Sequence, residues 1–452
     1  MQAPVHEEFE LSGAKKNILF ISLDDAVAFW HYRRVFGAAL QVPNLDRICA
    51  QSTAFHAAYA QAPVCGPSRA SFMTGKTPHQ LGIFDNSIEV FDVLPAEAMW
   101  SVRLKEAGYY CSSGGKLHHN YKPLSRKAHS VIYSDERKRF LDDMHLKPGA
   151  EAMKFGGHRG GWATTDPKDD AAYYDHQSAT SAIDFLQGYD GDAPFYREVG
   201  FFSPHGPHIT PARFKEMYDV TAFEQPASWQ NGFPSDAFIR QLVPEGDKMA
   251  EGGLSYWRAC VRNYFSALSH GDCHLGRVWD ALQASPHAAN TLVVICSDHG
   301  FHLGDRGRFS KFTLFEQVAG VPLIIHDPAR PEARVVDAPV ALLDIGPTLM
   351  DYAGVAVPEG LVGRSLMPCL DGPCDPERAV LTVWHGSAAI RKGDFRFIRY
   401  EDGSTQLFDM TKDLWQQTDL GPGHPAYEAM YASLVETAHE HGYASLTRGA
   451  AA

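Results

Sequence analysis

Four short clusters of reactive side chains stand out in this sequence, and each follows an apolar run. Asp24 and Asp25 follow NILFISL (17–23), and Asp298 and His299 follow NTLVVICS (290–297). His205 and His208 follow PFYREVGFF (194–202), while Lys116, His118 and His119 follow the weaker run GYYCSS (108–113). If the runs are strands, every cluster falls at a carboxyl end, which is where open α/β sheets bind ligands. Adjacent carboxylates repel, and burial worsens the repulsion unless a cation lies between them. Asp298 adds a third carboxylate. Hard oxygen donors favour Ca2+ or Mg2+ over zinc. His299 is an unusual partner for such an ion, and contact with a metal-bound oxygen is its other reading. A bare Asp24-Asp25 pair also reads as a helix cap acting on the dipole. The SDHG segment at a second strand end tips the balance to metal.

The segment VCGPSRASFMTG (64–75) reads as a loop entering a helix N-terminus. Such a place lowers a thiol pKa and gathers anions. From the residues alone, Cys65 is either a thiolate nucleophile or an inert loop cysteine.

The elements that must position these groups alternate in type. Helical patterns cover roughly 40–52, 98–107, 172–187, 258–284 and 341–353, and VPLIIH (321–326) is a further strand run. That alternation predicts an α/β fold with a largely parallel sheet. Residues 120–170 and 204–255 are irregular, polar and long, which marks lids or substrate walls. Near residue 370 the pattern changes. AVLTVWHG, AAIRKGDFRFIRYE and TQLFDM read as antiparallel strands, followed by a helix at about 425–441. The expected organisation is a catalytic domain over 1–370 and a small α+β subdomain over 371–452.

Composition narrows the partners. The 452 residues are 44% hydrophobic and 21% charged, enough for a large core and too apolar for disorder. A net charge of −13 argues against nucleic-acid and anionic-membrane binding. Positive charge for an anionic substrate must therefore be local. The eight cysteines are scattered without a CxxC pair and read mostly as buried, reduced thiols. The polar start MQAPVHEEFELSGAKKN does not read as a signal peptide, and no 18-residue apolar run exists. A cytoplasmic location is the expectation.

Cys65-Gly66-Pro67-Ser68-Arg69, continued by Met73-Thr74-Gly75, resembles the C-x-P-S-R-x-x-x-[LM]-T-G motif of type I, formylglycine-dependent sulfatases. Residues 297–316, 340–366 and 395–413 are similar to the iduronate-2-sulfatase-like branch. The resemblance covers most of the chain in order, apart from the two long loops. It implies an alkaline-phosphatase-like fold: a large mixed, mostly parallel sheet sandwiched by helices, then a smaller antiparallel sheet with a helix. It implies that a formylglycine-generating enzyme oxidises Cys65 to formylglycine, whose hydrated aldehyde attacks sulfur. Asp24, Asp25, Asp298, His299 and residue 65 match the metal site, with Ca2+ expected and Mg2+ or Mn2+ as alternatives. Arg69 would hold the diol, Lys116 and Lys311 the sulfate oxygens. His118 would assist the diol, and His205 would protonate the leaving oxygen.

The implied substrate is a small anionic sulfate ester, and a homo-oligomer is compatible with the resemblance. Similar enzymes often have Lys-Pro-His where this chain has Ser203-Pro204-His205. His302, Arg306 and Arg308 either read an acidic group on the substrate or are solvated. His119 and His208 read as structural or pocket-lining, and Asn86 as a pocket candidate. The rival activity is a phosphonate monoester hydrolase or phosphodiesterase with the same modified cysteine and metal. That class tends to have Asp-Gln at the first metal motif, where this chain has Asp24-Asp25.

Overall fold

Asn17–Asp24 (β1) buries all eight of its residues. Side chains alternate across a strand, so a strand covered on both faces reads as one continuous apolar run. Ile18 and Phe20 enter one core, and Leu19, Ile21 and Leu23 enter the other. Thr291–Ser297 (β8) divides in the same way, Leu292 and Val294 against Val293 and Ile295. A mostly parallel sheet between two helical layers is the arrangement that such strands require.

The structure, a computed structural model, describes residues 16–119, 124–138, 140, 153–157, 161–230, 232–233, 238–242 and 249–446. The main sheet also contains Thr53–Tyr59 (β2), Tyr110–Gly115 (β3), Phe195–Pro204 (β6), Gly320–His326 (β9), Arg334–Val336 (β10) and Val340–Ala341 (β11). Its order is β10-β2-β9-β8-β1-β6-β3, with β11 also on β2. The pairs β1–β6, β1–β8 and β3–β6 are parallel, and β9 runs antiparallel to both β2 and β8. Helices Tyr174–Gly188 and Met249–Gln283 pack into one core; Cys65–Thr74 and Ile345–Ala353 pack into the other. The expected fold class is found.

A second sheet is antiparallel: Val380–Trp384 (β12), Ser387–Lys392 (β13), Phe395–Arg399 (β14) and Thr405–Asp409 (β15), in that order. Helix Tyr427–Glu440 covers one face through Met430 and Leu434. On the other face, Trp384, Ile398 and Phe408 pack with Val64, Leu314 and Phe315. Thr382 Oγ1 donates to Ala60 O at 2.8 Å, and Val383 N to Gln61 O at 2.9 Å. The second sheet thus braces the segments just before Cys65 and just after Lys311.

We propose the boundary between the two parts at residues 370 and 371. A disulfide between Cys369 and Cys374 closes the chain there. The other six cysteines are free, so most of the eight are reduced thiols as expected and this pair is the exception. The segments 120–170 and 204–255 lie partly outside the described residues. Within them, Met153–Lys154 (β4), Trp162–Thr164 (β5) and Thr210–Pro211 (β7) form a small sheet. No helix of the described residues is long and apolar enough to cross a membrane.

Candidate active site

Four parallel-sheet strands, β1, β8, β6 and β3, deliver the four sequence clusters to one edge, because parallel strands share their carboxyl ends. Asp24 ends β1. Asp25 follows in the left-handed region, with φ +63°. Two contacts fix that conformation: Tyr264 Oη donates to Asp25 O at 2.5 Å, and Asp25 N–H donates to Asp298 Oδ1 at 3.2 Å. Tyr264 carries no signal in the sequence, because a tyrosine on an apolar helix reads as core.

Cys65 is the first residue of a ten-residue helix that is buried throughout. Its Sγ lies 3.6 Å from Asp24 Oδ1 and 3.2 Å from His299 Nε2. His299 Nε2 is also 3.2 Å from Asp25 Oδ1. Donor atoms of Asp24, Asp25, Cys65 and His299 all lie within 4.8 Å of one another. Asp25 Oδ2 is buried without a hydrogen bond among the described residues. A compact, buried set led by carboxylate oxygens, one of them orphaned, fits a hard divalent cation.

Asp298 stands beside this set and is more heavily engaged. Its Oδ2 accepts from Arg69 Nε at 2.8 Å, and its Oδ1 accepts from the backbone of Asp25 and His299. Burial raises the Asp298 pKa, but Arg69, His299 and the two lysines outweigh that and hold it well below the carboxylate range.

The cations complete the site. Lys311 Nζ lies 2.8 Å from Asp25 Oδ1 and 3.0 Å from Cys65 Sγ. Lys116 pairs with Asp24 Oδ2. Burial lowers the Lys311 pKa, but Asp25 and Cys65 beside it hold it above the ordinary lysine value. Arg69 lies one layer deeper. Its guanidinium donates to the Lys116 and Leu117 carbonyls at 3.1 and 2.9 Å and to Leu23 O at 3.1 Å. It therefore ties together the ends of β1, β3 and β8. Three buried carboxylates, Asp24, Asp25 and Asp298, are balanced by Lys116, Lys311 and Arg69.

A helix N-terminus led us to expect a lowered Cys65 pKa. The structure reverses this: full burial pushes the thiol up to about 12, with Lys311 opposing and Asp298 and Asp25 reinforcing. An unmodified Cys65 is a poor nucleophile here.

His118 is buried with Phe91 edge-on at 5.0 Å, and its Nε2 has no partner among the described residues. Burial pushes its pKa down to about 3. His205 Nδ1 donates to Gly206 O at 2.6 Å, which leaves Nε2 facing Asp25 Oδ2 at 3.9 Å. Burial and the nearby Lys311 hold His205 well below the ordinary histidine pKa. Asp175, a residue the sequence did not mark, accepts from Phe202 N at 2.6 Å and Ser203 N at 2.9 Å. It anchors the end of β6 where its register with β1 shifts.

The remaining candidates divide. Asn86 Oδ1 accepts from Gly66 N at 2.8 Å, so it supports the cysteine loop. His119 pairs with Glu89 at 3.2 Å, and His208 packs on Tyr264. His302 is fully buried between Asp305 and Thr313, and Arg306 stacks 4.3 Å over Phe315. Neither is placed to read a substrate as a solvated loop residue would.

A family model described as Sulfatase matches residues 16–355, and one described as N-sulphoglucosamine sulphohydrolase, C-terminal, matches residues 304–440. A sulfatase of Formosa agariphila is 30% identical, covering 88% of this chain and 82% of that protein. A choline-sulfatase of Rhizobium meliloti is 28% identical over 91% of this chain and 83% of its own length. Among solved structures, the phosphonate monoester hydrolase of Agrobacterium radiobacter superposes with a TM-score of 0.76 at 19% identity, covering 94% of this chain and 96% of that one. At that identity the likeness speaks to fold alone.

Proposed function

The chain belongs to the sulfatase family and is a sulfuric ester hydrolase; from that premise we propose that it cleaves a small sulfate monoester through formylglycine made from Cys65, with a divalent metal, Ca2+ by preference. The observation that carries this reading is Cys65 Sγ, set within 3.0–3.6 Å of Lys311, His299 and Asp24. The sequence Cys65-Gly66-Pro67-Ser68-Arg69 is the recognition motif of the formylglycine-generating enzyme, which we take as the maturation partner.

When bound to Asp24, Asp25, Asp298, His299 and residue 65, the metal supplies Lewis-acid polarisation of the sulfate oxygens. The site's own charges are already balanced three against three, so an added dication leaves the two lysines an excess of positive charge for an anionic ester. Lys116 and Lys311 then hold sulfate oxygens as point charges. One hydroxyl of the hydrated aldehyde, its proton lost to solvent, would attack sulfur as the S–O bond to the alcohol breaks. His205 gives the leaving oxygen its proton through Nε2. The free enzyme keeps this imidazole neutral, and an anionic ester beside it favours the charged form needed for donation. The second hydroxyl would then give up its proton, a step in which the motif resemblance gives His118 an assisting role. The C–O bond to sulfate breaks, and the aldehyde returns. Arg69 keeps the strand ends that carry these groups in place.

The second reading, a phosphonate monoester hydrolase with the same modified residue, is favoured by fold likeness to enzymes such as that of Agrobacterium. Parallel assays separate the two. Product release is measured from 4-nitrophenyl sulfate, bis-4-nitrophenyl phosphate and a 4-nitrophenyl phosphonate, with Cys65→Ala as control. Peptide mass spectrometry reads the state of residue 65. Fast sulfate release with a dead variant supports the sulfatase reading. Preference for the phosphonate replaces it, and an active Cys65→Ala enzyme removes the nucleophile.

A further inference from the structure

Lys311 reaches the site on a strained turn rather than on a regular element. Phe312, the next residue, has φ +72°, a left-handed conformation that a bulky side chain keeps only under constraint from its surroundings. One residue supplies constraint on both sides. The backbone N–H of His302 donates to Ser310 O at 2.8 Å. The imidazole of His302 meets the Thr313 hydroxyl through Nε2 at 2.7 Å. Ser310 and Thr313 bracket Lys311 and Phe312.

The imidazole is itself oriented. His302 Nδ1 donates to Asp305 Oδ2 at 2.5 Å. In the neutral ring that leaves Nε2 to accept the Thr313 proton. Asp305 also accepts from Leu303 N at 3.3 Å, and Gly304 N–H closes the loop on Arg308 O at 2.6 Å. His302 and Asp305 have no exposed surface, and Thr313 is 1% exposed. The chain of contacts from Asp305 through His302 to Thr313 ends on the turn that brings Lys311 to Cys65 and Asp25.

We propose that His302, oriented by Asp305, is a positioning residue for sulfate ester hydrolysis: it grips both ends of the Ser310–Thr313 turn and so fixes the Lys311 ammonium at the reacting centre. The inference rests on Lys311 as a sulfate ligand. A misplacement of about 1 Å in such a group can cost on the order of 100-fold in rate.

A double-mutant cycle tests it. Thr313→Val keeps the side-chain shape and removes only the hydroxyl; His302→Gln removes the imidazole. Each is expected to lower kcat/KM for 4-nitrophenyl sulfate by roughly 10- to 100-fold, and Thr313→Ser is expected to restore it. In a Lys311→Met background, both substitutions are expected to change kcat/KM by less than about two-fold, because the group they position is gone. An equal loss in both backgrounds, or a fully active Thr313→Val enzyme, overturns the proposal. Melting curves exclude variants that fail to fold, and the Thr313 series stands if His302→Gln does. The Kd of inorganic sulfate, measured by calorimetry on the same proteins, repeats the cycle without turnover. Coupling between positions 302 and 311 supports positioning, and its absence refutes it. A wild-type enzyme that releases no sulfate counts instead against the proposed function.

Discussion

Lys116 and Lys311 reach the adjacent carboxylates Asp24 and Asp25, one lysine to each, by opposite means. Lys116 leaves the end of β3, where two strands approach too closely for side chains. Gly115 has φ +89°, and a Cβ there would stand 1.9 Å from Gly200 O and 2.3 Å from Ser178 Oγ. A Cβ on Gly200 would stand 1.9 Å from Lys116 O. The reward is a backbone bond from Lys116 N to Gly200 O at 3.1 Å. Lys311 instead sits in a loop held by hydrogen bonds to the backbone N–H and the imidazole of His302. The strand end is positioned by the absence of atoms, whereas the loop is positioned by polar partners. The first arrangement should fail when a methyl group is added, and the second when a hydrogen bond is removed.

Lys311 touches Cys65 directly and Lys116 pairs with Asp24, which in turn touches Cys65, so loss of residue 65 should have the largest effect. Cys65→Ala should lower sulfate release by about 10⁴-fold or more, the scale of losing a covalent nucleophile, and lysine substitutions should then add nothing. A variant still sensitive to Lys116 or Lys311 would break that link. Removing metal with a chelator should cost several kcal/mol of transition-state stabilisation, about 10³-fold in rate. Asp25→Asn should weaken cation binding in parallel, read by calorimetry with Ca2+. Unchanged Ca2+ affinity would take Asp25 out of the metal set.

Next come the lysines themselves. Lys116→Ala and Lys311→Ala should each cost roughly 2–4 kcal/mol in kcat/KM, and a near-normal rate in either would detach it from the sulfate. The contrast between strand and loop is sharpest in stability. Gly115→Ala should destabilise the fold by roughly 3 kcal/mol through backbone strain and overpacking, visible in denaturant unfolding. Thr313→Val should shift stability by only about 1 kcal/mol, the net value of one hydrogen bond, while still lowering turnover. Reversal of that order would mean that the loop, not the strand end, is the structural element.

Much of the site was legible before any coordinates. Asp24-Asp25 and Asp298-His299 declared themselves because the runs before them are apolar enough to be buried strands, and the Cys65 loop carried a long motif. The supporting residues were not legible. Asp175 and Tyr264 are ordinary helix residues in sequence, yet one anchors the end of β6 and the other holds Asp25 in its left-handed conformation. His302 and Arg306 looked like positive charge for a substrate, and both proved to be internal struts. Arg69 belongs to the motif in sequence, and only the structure shows its hydrogen bonds to Asp298 and to carbonyls of β1 and the β3 loop.

What the sequence determined by itself is the chemistry: which residue types exist, which strands are apolar on both faces, and therefore which groups lie at strand ends. The periodicity of apolar side chains is local, so it survives in one dimension. What only the tertiary structure decided is the environment of each group. Arg69 and Asp298 are 229 residues apart, and Lys311 and Cys65 are 246 apart. Burial and such distant partners turned a thiol expected to ionise easily into one held protonated. Desolvation and charge act through space, and the spacing of residues along the chain carries no record of them.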